Sequence, residues 1–270
     1  MIIAAALCPS PPLLVRELTG TDPVVADLRD ACANAVHALL AARPDVIVVV
    51  GPGPDTTAWP ADSRLNIAAF GGRPVQPADA RAQAAPPAGH PVSPAGNAAR
   101  AAPARPGSVP LAVGLGGYLL DQARYTGPRR LHSVSEDDQP ADCLRLGKEI
   151  GDTAERTGLL VMADGSARRG PRAPGHLDER AEAFDAEVER ALRAGDLQAL
   201  AAVDPALARE LVATGRPAWQ VLAGATHDTA LTGDVMYAGD PLGVMYVVSF
   251  FLVLSELTDP RIPGLSRRRR

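Results

Sequence analysis

The sequence has few aromatic residues, few cysteines and no long hydrophobic run. Phe, Trp and Tyr make up 4% of the 270 residues, although 46% are hydrophobic, so the core must be built mainly from aliphatic side chains. The three cysteines are odd in number and far apart, which argues against a disulfide framework or a cysteine-rich zinc site. No segment approaches the roughly 20 apolar residues of a membrane span, and the first apolar run is too short for a signal peptide. We therefore expect a soluble, cytoplasmic protein.

The sequence also has no excess of basic residues. Its formal net charge is −4 and its pI is about 5.7, whereas nucleic-acid binding needs a basic face. The run Arg267 to Arg270 is a local exception, which we interpret as a solvated tail. Neither nucleic acid nor a membrane is an expected partner, and self-association is left open.

The apolar pattern predicts strands that alternate with helices. Residues 2–7 and 46–50 are predicted to be buried strands, and residues 22–42 between them have apolar side chains at helical spacing. Such a βαβ unit requires a parallel pair of strands. Further strands are predicted at "RRLHSVS", "GLLVMADG" and residues 243–254, with helices between them, one of which begins near Gly116. The order predicts an α/β fold: a three-layer sandwich with a central, partly parallel sheet and helices on both faces.

One domain is predicted over residues 1–254. Residues 73–108 are mostly Ala, Pro, Gly and Arg without a periodic apolar face, so we predict a disordered insertion that buries too little surface to offset its ordering cost. Residues 255–270 are predicted to be a tail.

Candidate site residues follow the predicted strands. In α/β sheets ligands bind at the carboxyl ends of strands, which here are "CPSPP", "GPGPDT" and "ADGSARR". Ser10 lies in a loop stiffened by three prolines, but neither it nor Ser166 has the GxSxG setting of a nucleophile, so bonds to nearby backbone are the simpler interpretation. Arg168 and Arg169 suit a carboxylate or phenolate, with a solvated arginine pair as the alternative.

Common phosphate and metal motifs are missing. "GPGP" has no following Lys, as a Walker A loop requires, and "GLGG" is only a weak anion-binding signal. The five histidines show no HxH, HxxxH or HExxH spacing. His227 is followed by Asp228, which could orient its ring, but spacing alone does not assemble two histidines and a carboxylate around iron.

Several segments together resemble the subunit-B-like family of class III extradiol ring-cleavage dioxygenases, and within it an actinobacterial branch. The resemblance covers most of residues 1–72 and 109–250. Its segments are "AALCPSPPLL", "RPDVIVVVGPGP", "GLLVMADGSARR", "APGHLDERAEAFDAEVERALRAGDLQAL", "GRPAWQVLAGA" and "PLGVMYVVSF". It implies an α/β sandwich and an oxidoreductase that opens catechol-type rings with O₂. It also implies Fe(II) held by two histidines and a glutamate, with a further histidine as acid/base.

This sequence departs from that family at the metal ligands. Ser10 and Gly53 occupy the places of the two histidine ligands, Gln220 matches a further histidine, and the "GSARR" loop lacks the acid/base histidine. Glu256 is the nearest carboxylate in sequence order, although it lies beyond the well-matched region. Serine is a poor ligand for Fe(II) and glycine has no side chain, so the usual triad cannot form at these positions.

Three interpretations follow. The first is a homologue that has lost the iron ligands and ring cleavage, with no cofactor expected. The second is an active Fe(II)-dependent dioxygenase or other oxidoreductase with rearranged ligands from His176 or His227. The third is a binding or scaffold protein for a small aromatic or acidic ligand. The candidate pocket residues are Ser10, Gly53, Asp164, Ser166, Arg168, Gln220 and His227.

Overall fold

A single mixed sheet organises the structure, a computed structural model that describes residues 1–20, 23–70, 109–153 and 155–258. The strands in these ranges are β1 Ile2–Cys8, β2 Val46–Gly53, β3 Thr57–Trp59, β4 Arg129–Ser135, β5 Thr157–Met162, β6 Leu231–Gly239 and β7 Tyr246–Val253. Their order across the sheet is β3-β4-β2-β5-β1-β7-β6. The four strands β4, β2, β5 and β1 are parallel, and β3, β7 and β6 pair antiparallel with their neighbours. The predicted partly parallel sheet is confirmed.

Helices cover both faces of this sheet. They are α1 Arg16–Thr19, α2 Ala26–Ala41, α3 Leu111–Gln122, α4 Pro140–Gly151, α5 Arg180–Ala194, α6 Leu197–Ala201, α7 Pro205–Glu210 and α8 Arg216–Ala225. Helices α2 and α3 share one hydrophobic cluster with the strands, and α4, α5 and α8 share the other. The predicted three-layer sandwich is therefore confirmed.

Side-chain alternation along the buried strands divides the core between the two faces. In β1, Ala6 and Cys8 pack in the cluster on the α2 side, whereas Ala5 and Leu7 pack in the cluster on the α8 side. Successive side chains of a strand point to opposite faces, and all seven residues of β1 are buried. The first five residues of β2 are likewise buried, as the run of β-branched residues predicts.

Two edge strands and one helix start differ from the sequence prediction. The nine residues of β6 include one buried residue, Val235, so the strand has no alternating apolar pattern to reveal it. The three residues of β3 are too few for a pattern. Helix α3 begins at Leu111 rather than near Gly116, because packing on β2 outweighs the low helix propensity of glycine. A Cβ atom on Gly116 would lie only 2.4 Å from Val49 Cγ1.

Parts of the prediction lie outside the described residues. These are the insertion at 73–108, with His90, and residues 259–270 of the predicted tail. In the part of the chain that the structure describes, no helix combines the length and apolar character needed to cross a membrane.

Candidate functional site

The loops singled out in the sequence meet at one edge of the sheet. Parallel strands end on the same side, so the loops after β1, β2, β4 and β5 all emerge there; we call this side the carboxyl edge. The loop between β6 and β7 reaches the same edge, because β7 runs antiparallel to β1. The carboxyl edge therefore brings "CPSPP", "GPGPDT" and "ADGSARR" together, as expected.

Ser10 is held by a carboxylate from the neighbouring strand-end loop. Its backbone N–H donates to Asp164 Oδ1 at 2.7 Å, and its hydroxyl donates to Asp164 Oδ2 at 3.0 Å. Ser10 is buried and Asp164 is partly exposed. The pair connects the exit of β1 to the exit of β5, which are adjacent in the sheet. Ser10 therefore uses both its donors inside the protein, which fits the structural interpretation of this serine.

Asp164 titrates closer to neutrality than an ordinary carboxyl. Desolvation raises its pKa to about 6, although the two hydrogen bonds from Ser10 act in the opposite direction. Its charge also reaches Tyr246 at the start of β7, whose pKa is raised by desolvation first and by Asp164 second. A carboxyl with a pKa near 6 and some solvent exposure can exchange a proton near neutral pH.

A second serine–aspartate pair lies deeper in the same loop system. The backbone N–H of Ser166 donates to Asp185 Oδ1 at 2.8 Å, and its hydroxyl donates to Oδ2 at 2.5 Å. Asp185 is 1% exposed, and its pKa is raised by desolvation against the effect of these bonds and of Arg169. Arg169 Nε lies 3.8 Å from Asp185 Oδ2 and donates to Asp240 Oδ2 at 2.9 Å. These contacts together hold α5 against the loop after β5.

Asp185 was not among the residues predicted from the sequence. In "AEAFDAEVER" it looks like one of several surface acids of a helix. The available signal was its position: four residues after Ala181 and three before Val188, it falls on the buried stripe of α5. A carboxylate on that stripe needs a buried partner, and Ser166 supplies it.

Gly53, which occupies a family ligand position, is tightly enclosed at the end of β2. A Cβ atom there would lie 2.7 Å from Ser133 Cβ and 2.9 Å from Pro110 Cγ. These distances are well inside van der Waals contact, so even an alanine would require the backbone to move. A histidine does not fit at this position without rearrangement of β4 and of the start of α3.

Gln220 is a structural residue of α8 rather than a pocket group. Its side chain is fully buried. Its amide nitrogen donates to the carbonyls of Ala201 and Val203, both at 3.1 Å, and its carbonyl accepts from Arg216 Nη1 at 3.0 Å. The two bonds from the amide nitrogen join α8 to the α6–α7 corner, and the bond from Arg216 lies within α8.

His227 lies near the amino ends of the parallel strands, whereas Ser10 lies at their carboxyl ends. Helix α8 starts beside Asp164, whose carbonyl accepts from Gly215 N at 3.0 Å, and then runs away from the carboxyl edge. His227 follows its last turn, where its Nε2 lies 2.8 Å from Asp228 Oδ2 and 3.4 Å from Lys148 Nζ. The structure therefore does not bring His227 together with the other pocket candidates.

Glu256 is also distant from the carboxyl edge. It follows β7, which ends at the amino side of the sheet, and both of its carboxylate oxygens accept from Arg156, at 3.2 and 2.6 Å. Arg156 immediately precedes β5, so this ion pair lies at the amino ends of the parallel strands. Glu256 is buried, with 7% exposure, and its ion pair with Arg156 lies far from Ser10.

The donors required for a two-histidine, one-carboxylate iron centre are not assembled in the described residues. Ser10 is bonded to Asp164, and Gly53 has neither a side chain nor room for one. His176 is exposed in the long loop after β5, and His132 lies within β4. No group of three His, Cys, Asp or Glu residues with metal-binding geometry occurs in the described ranges. The residues present do not fit the iron that the sequence resemblance implies.

Arg168 has an unsatisfied donor in the loop after β5. Its Nε atom is buried and makes no hydrogen bond within the described residues. The side chain packs against Gly175, where a Cβ atom would lie 2.8 Å from Arg168 Cγ. The nearby carboxylate of Asp178 accepts hydrogen bonds from Arg180 at 3.0 and 2.8 Å. Arg168 thus has one buried donor without an acceptor in the described residues.

Comparison with known proteins adds a distant structural likeness. No family model and no curated protein matches this chain. A solved structure, described as uncharacterized protein JW3007 from Escherichia coli K12, aligns over 93% of this chain and 99% of that chain, with 16% sequence identity and a TM-score of 0.49. At this distance the likeness carries no argument about function.

Proposed function

We propose that this chain is a homologue of class III extradiol dioxygenases that binds a small aromatic acid at the carboxyl edge and does not cleave it with iron. The observation that carries the proposal is the buried, unpartnered Nε of Arg168. The dioxygenase ancestry depends on the sequence resemblance.

A ligand carboxylate is the partner that we propose for Arg168. A buried donor without a partner costs about 1–3 kcal/mol, and a guanidinium binds a carboxylate through well-oriented N–H groups. The adjacent Arg169 differs, because it is already bonded to Asp240 and lies near Asp185. Arg168 is therefore the better candidate of the two arginines for holding a ligand carboxylate.

Asp164 suits a hydroxyl group on the same ligand. It lies at the carboxyl edge with partial exposure, and its pKa of about 6 lets it accept a hydrogen bond when ionised. A phenolic hydroxyl donates such a bond readily. An aromatic ring that carries both a carboxylate and a hydroxyl therefore matches the two kinds of group that this edge provides.

Iron chemistry is disfavoured by the residues at the family ligand positions. Ser10 is fastened to Asp164, and the space beside Gly53 is filled by Ser133 and Pro110. A metal site needs ligands placed within about 0.2 Å of ideal distances, so restoring one histidine would leave the site incomplete.

Calorimetric titration with 3,4-dihydroxybenzoate tests the binding proposal. We expect saturable binding that weakens at least tenfold in Arg168→Ala. The matched control is Arg172→Ala, which removes an exposed arginine from the same loop. Catechol, the same ring without the carboxylate, should bind weakly to all three proteins. Equal affinity in wild type and Arg168→Ala, or no saturable binding at all, would disprove the proposal.

Anaerobic reconstitution with Fe(II) tests the loss of the metal site. We expect far less than one iron per chain and no O₂ uptake with catechol, both in wild type and in Ser10→His. Stoichiometric iron with a ring-cleavage product would instead support the active dioxygenase with rearranged ligands. Tight iron binding by Ser10→His alone would show that the family ligand positions have been wrongly assigned.

A further inference from the structure

A concave surface lies in the helical layer. It is a cavity of about 430 Å³ between α5 on one side and α6 and α7 on the other. Its walls are mainly apolar and include Phe184, Val188, Leu200, Val203 and Leu207; we call this cavity the helical groove. Pockets for small molecules typically measure about 300–1,000 Å³ and have mostly apolar walls. The groove has the size and lining of such a site.

Hydrogen bonds fix the walls of the groove in place. Gln220 reaches across from α8 and donates to the carbonyls of Ala201 and Val203, which hold the corner between α6 and α7. At the other end, Arg180 of α5 donates to Glu210 of α7 at 2.7 Å. The bonds from the buried Gln220 hold the α6–α7 wall against α8, and the exposed Arg180–Glu210 pair connects the two walls at the surface, so the groove is present without a ligand.

The positive and negative charges at the rim of the groove are equal in number. Arg190 bonds to Glu187 at 3.1 and 2.7 Å, and Arg180 bonds to Asp178 and Glu210. The fourth charged lining residue, Asp204, accepts from Leu207 N at 2.7 Å at the start of α7. Exposed pairs of this kind contribute little stability. The charged lining residues are two arginines and two acids, so the rim has no net charge to attract an ionic group.

We infer that the helical groove binds a neutral, largely apolar small molecule about the size of a substituted naphthalene. The apolar walls provide the driving force, since burial of apolar surface is favourable. The rim without net charge disfavours a charged ligand, which would lose hydration without meeting an excess of opposite charge. This site is separate from the aromatic-acid site at the carboxyl edge and does not depend on it.

Two fluorescent probes of almost identical shape test the inference. N-phenyl-1-naphthylamine is neutral, and 1-anilinonaphthalene-8-sulfonate is its sulfonated analogue. We expect the neutral probe to bind at one site per chain, and the sulfonate to bind at least tenfold more weakly. Equal binding of the two probes would contradict the argument from rim charge.

Groove-filling variants locate the bound probe. Ala199→Phe and Ala183→Phe each place a ring in the groove, and both should weaken binding of the neutral probe at least tenfold. Ala186→Phe is the matched control, because Ala186 is exposed on α5 but does not line the groove. Far-UV circular dichroism and the thermal midpoint report whether each variant is folded. Unchanged probe binding in folded Ala199→Phe and Ala183→Phe would overturn the inference.

Trp219 provides an independent measure of where the probe binds. Its ring lies 6.5 Å from the ring of Phe184, which lines the groove. The chain has two tryptophans, so in Trp59→Phe only Trp219 can transfer fluorescence energy to the probe. We expect efficient energy transfer from Trp219 to the bound probe, and its absence would place the probe elsewhere. A dimer that dissociates when the probe binds would indicate that a second copy of the chain is the natural occupant, which would also overturn the inference.

Discussion

The two serine–aspartate pairs make the same bonds in different surroundings. In each, one carboxylate oxygen accepts from the serine N–H and the other from its hydroxyl. Asp185 is 1% exposed and has Arg169 Nε 3.8 Å away. Asp164 is partly exposed, and within the described residues it forms no ion pair. The two pairs therefore have the same hydrogen bonds but need not contribute equally to stability. Burial and neighbouring charge determine how much stability is lost when the carboxylate is removed, and they also determine its pKa.

The largest effect is expected from removal of the inner carboxylate. Asp185→Ala leaves two buried donors of Ser166 without acceptors and removes a neighbour of Arg169. We expect the free energy of unfolding to fall by about 3 kcal/mol, measured by urea denaturation. Glu182→Ala, an exposed acid on the same helix, should change it by less than about 0.5 kcal/mol. A similar small loss for both variants would mean that the inner pair does not fasten α5.

Removal of the outer carboxylate should cost less. Because Asp164 is itself partly exposed, water can enter the space that Asp164→Ala leaves and partly satisfy the donors of Ser10. We therefore expect a loss of about 1–2 kcal/mol at pH 7 by the same measurement. If Asp164→Ala destabilised the protein as much as Asp185→Ala, the difference in surroundings would have no energetic consequence.

The pH dependence of stability distinguishes the pairs in another way. Asp164 has a pKa of about 6 in the folded protein, above its ordinary value of 3.8, so the folded state binds more protons than the unfolded state between these values. Stability should therefore rise as the pH falls from about 7 to about 4, by roughly 1 kcal/mol for this partly exposed group. The pKa of Asp185 is also raised, so its titration changes stability in the same direction.

Asp164→Asn isolates the contribution of the outer pair to this effect. The variant cannot titrate at this position, so its gain in stability on acidification should be smaller than that of the wild type. Chemical denaturation at several pH values between 4 and 7 measures the difference. An unchanged pH profile would show that Asp164 does not titrate in this range.

The smallest effect is expected from the outer serine hydroxyl. Ser10→Ala removes one hydrogen bond but leaves the backbone bond to Asp164, so stability should fall by about 0.5–1 kcal/mol. Ser166→Ala should cost more, because it leaves part of a buried carboxylate unsatisfied. Urea denaturation of both variants measures how much more the inner hydroxyl contributes to stability than the outer one. A larger loss for Ser10→Ala than for Ser166→Ala would contradict this expectation.

Sequence patterns were most informative for the buried elements. The β-branched run of β2 and the apolar stripe of α2 identified those elements, because burial on two faces or on one imposes a periodic pattern. The edge strand β6 has no such pattern and was missed. Among the candidate site residues, the sequence located Ser10, Asp164, Ser166 and Arg168 after strand ends, which is where α/β sheets generally bind ligands.

The sequence by itself therefore determined the layered α/β architecture and the loops that form the carboxyl edge. Only the tertiary structure decided which partners meet there. It joined Ser166 to Asp185, enclosed Gly53, and placed Gln220 in the frame of the helical groove and His227 at the far end of α8. Periodicity is a local property that follows from burial, whereas hydrogen-bond partners and steric room depend on residues distant in the chain.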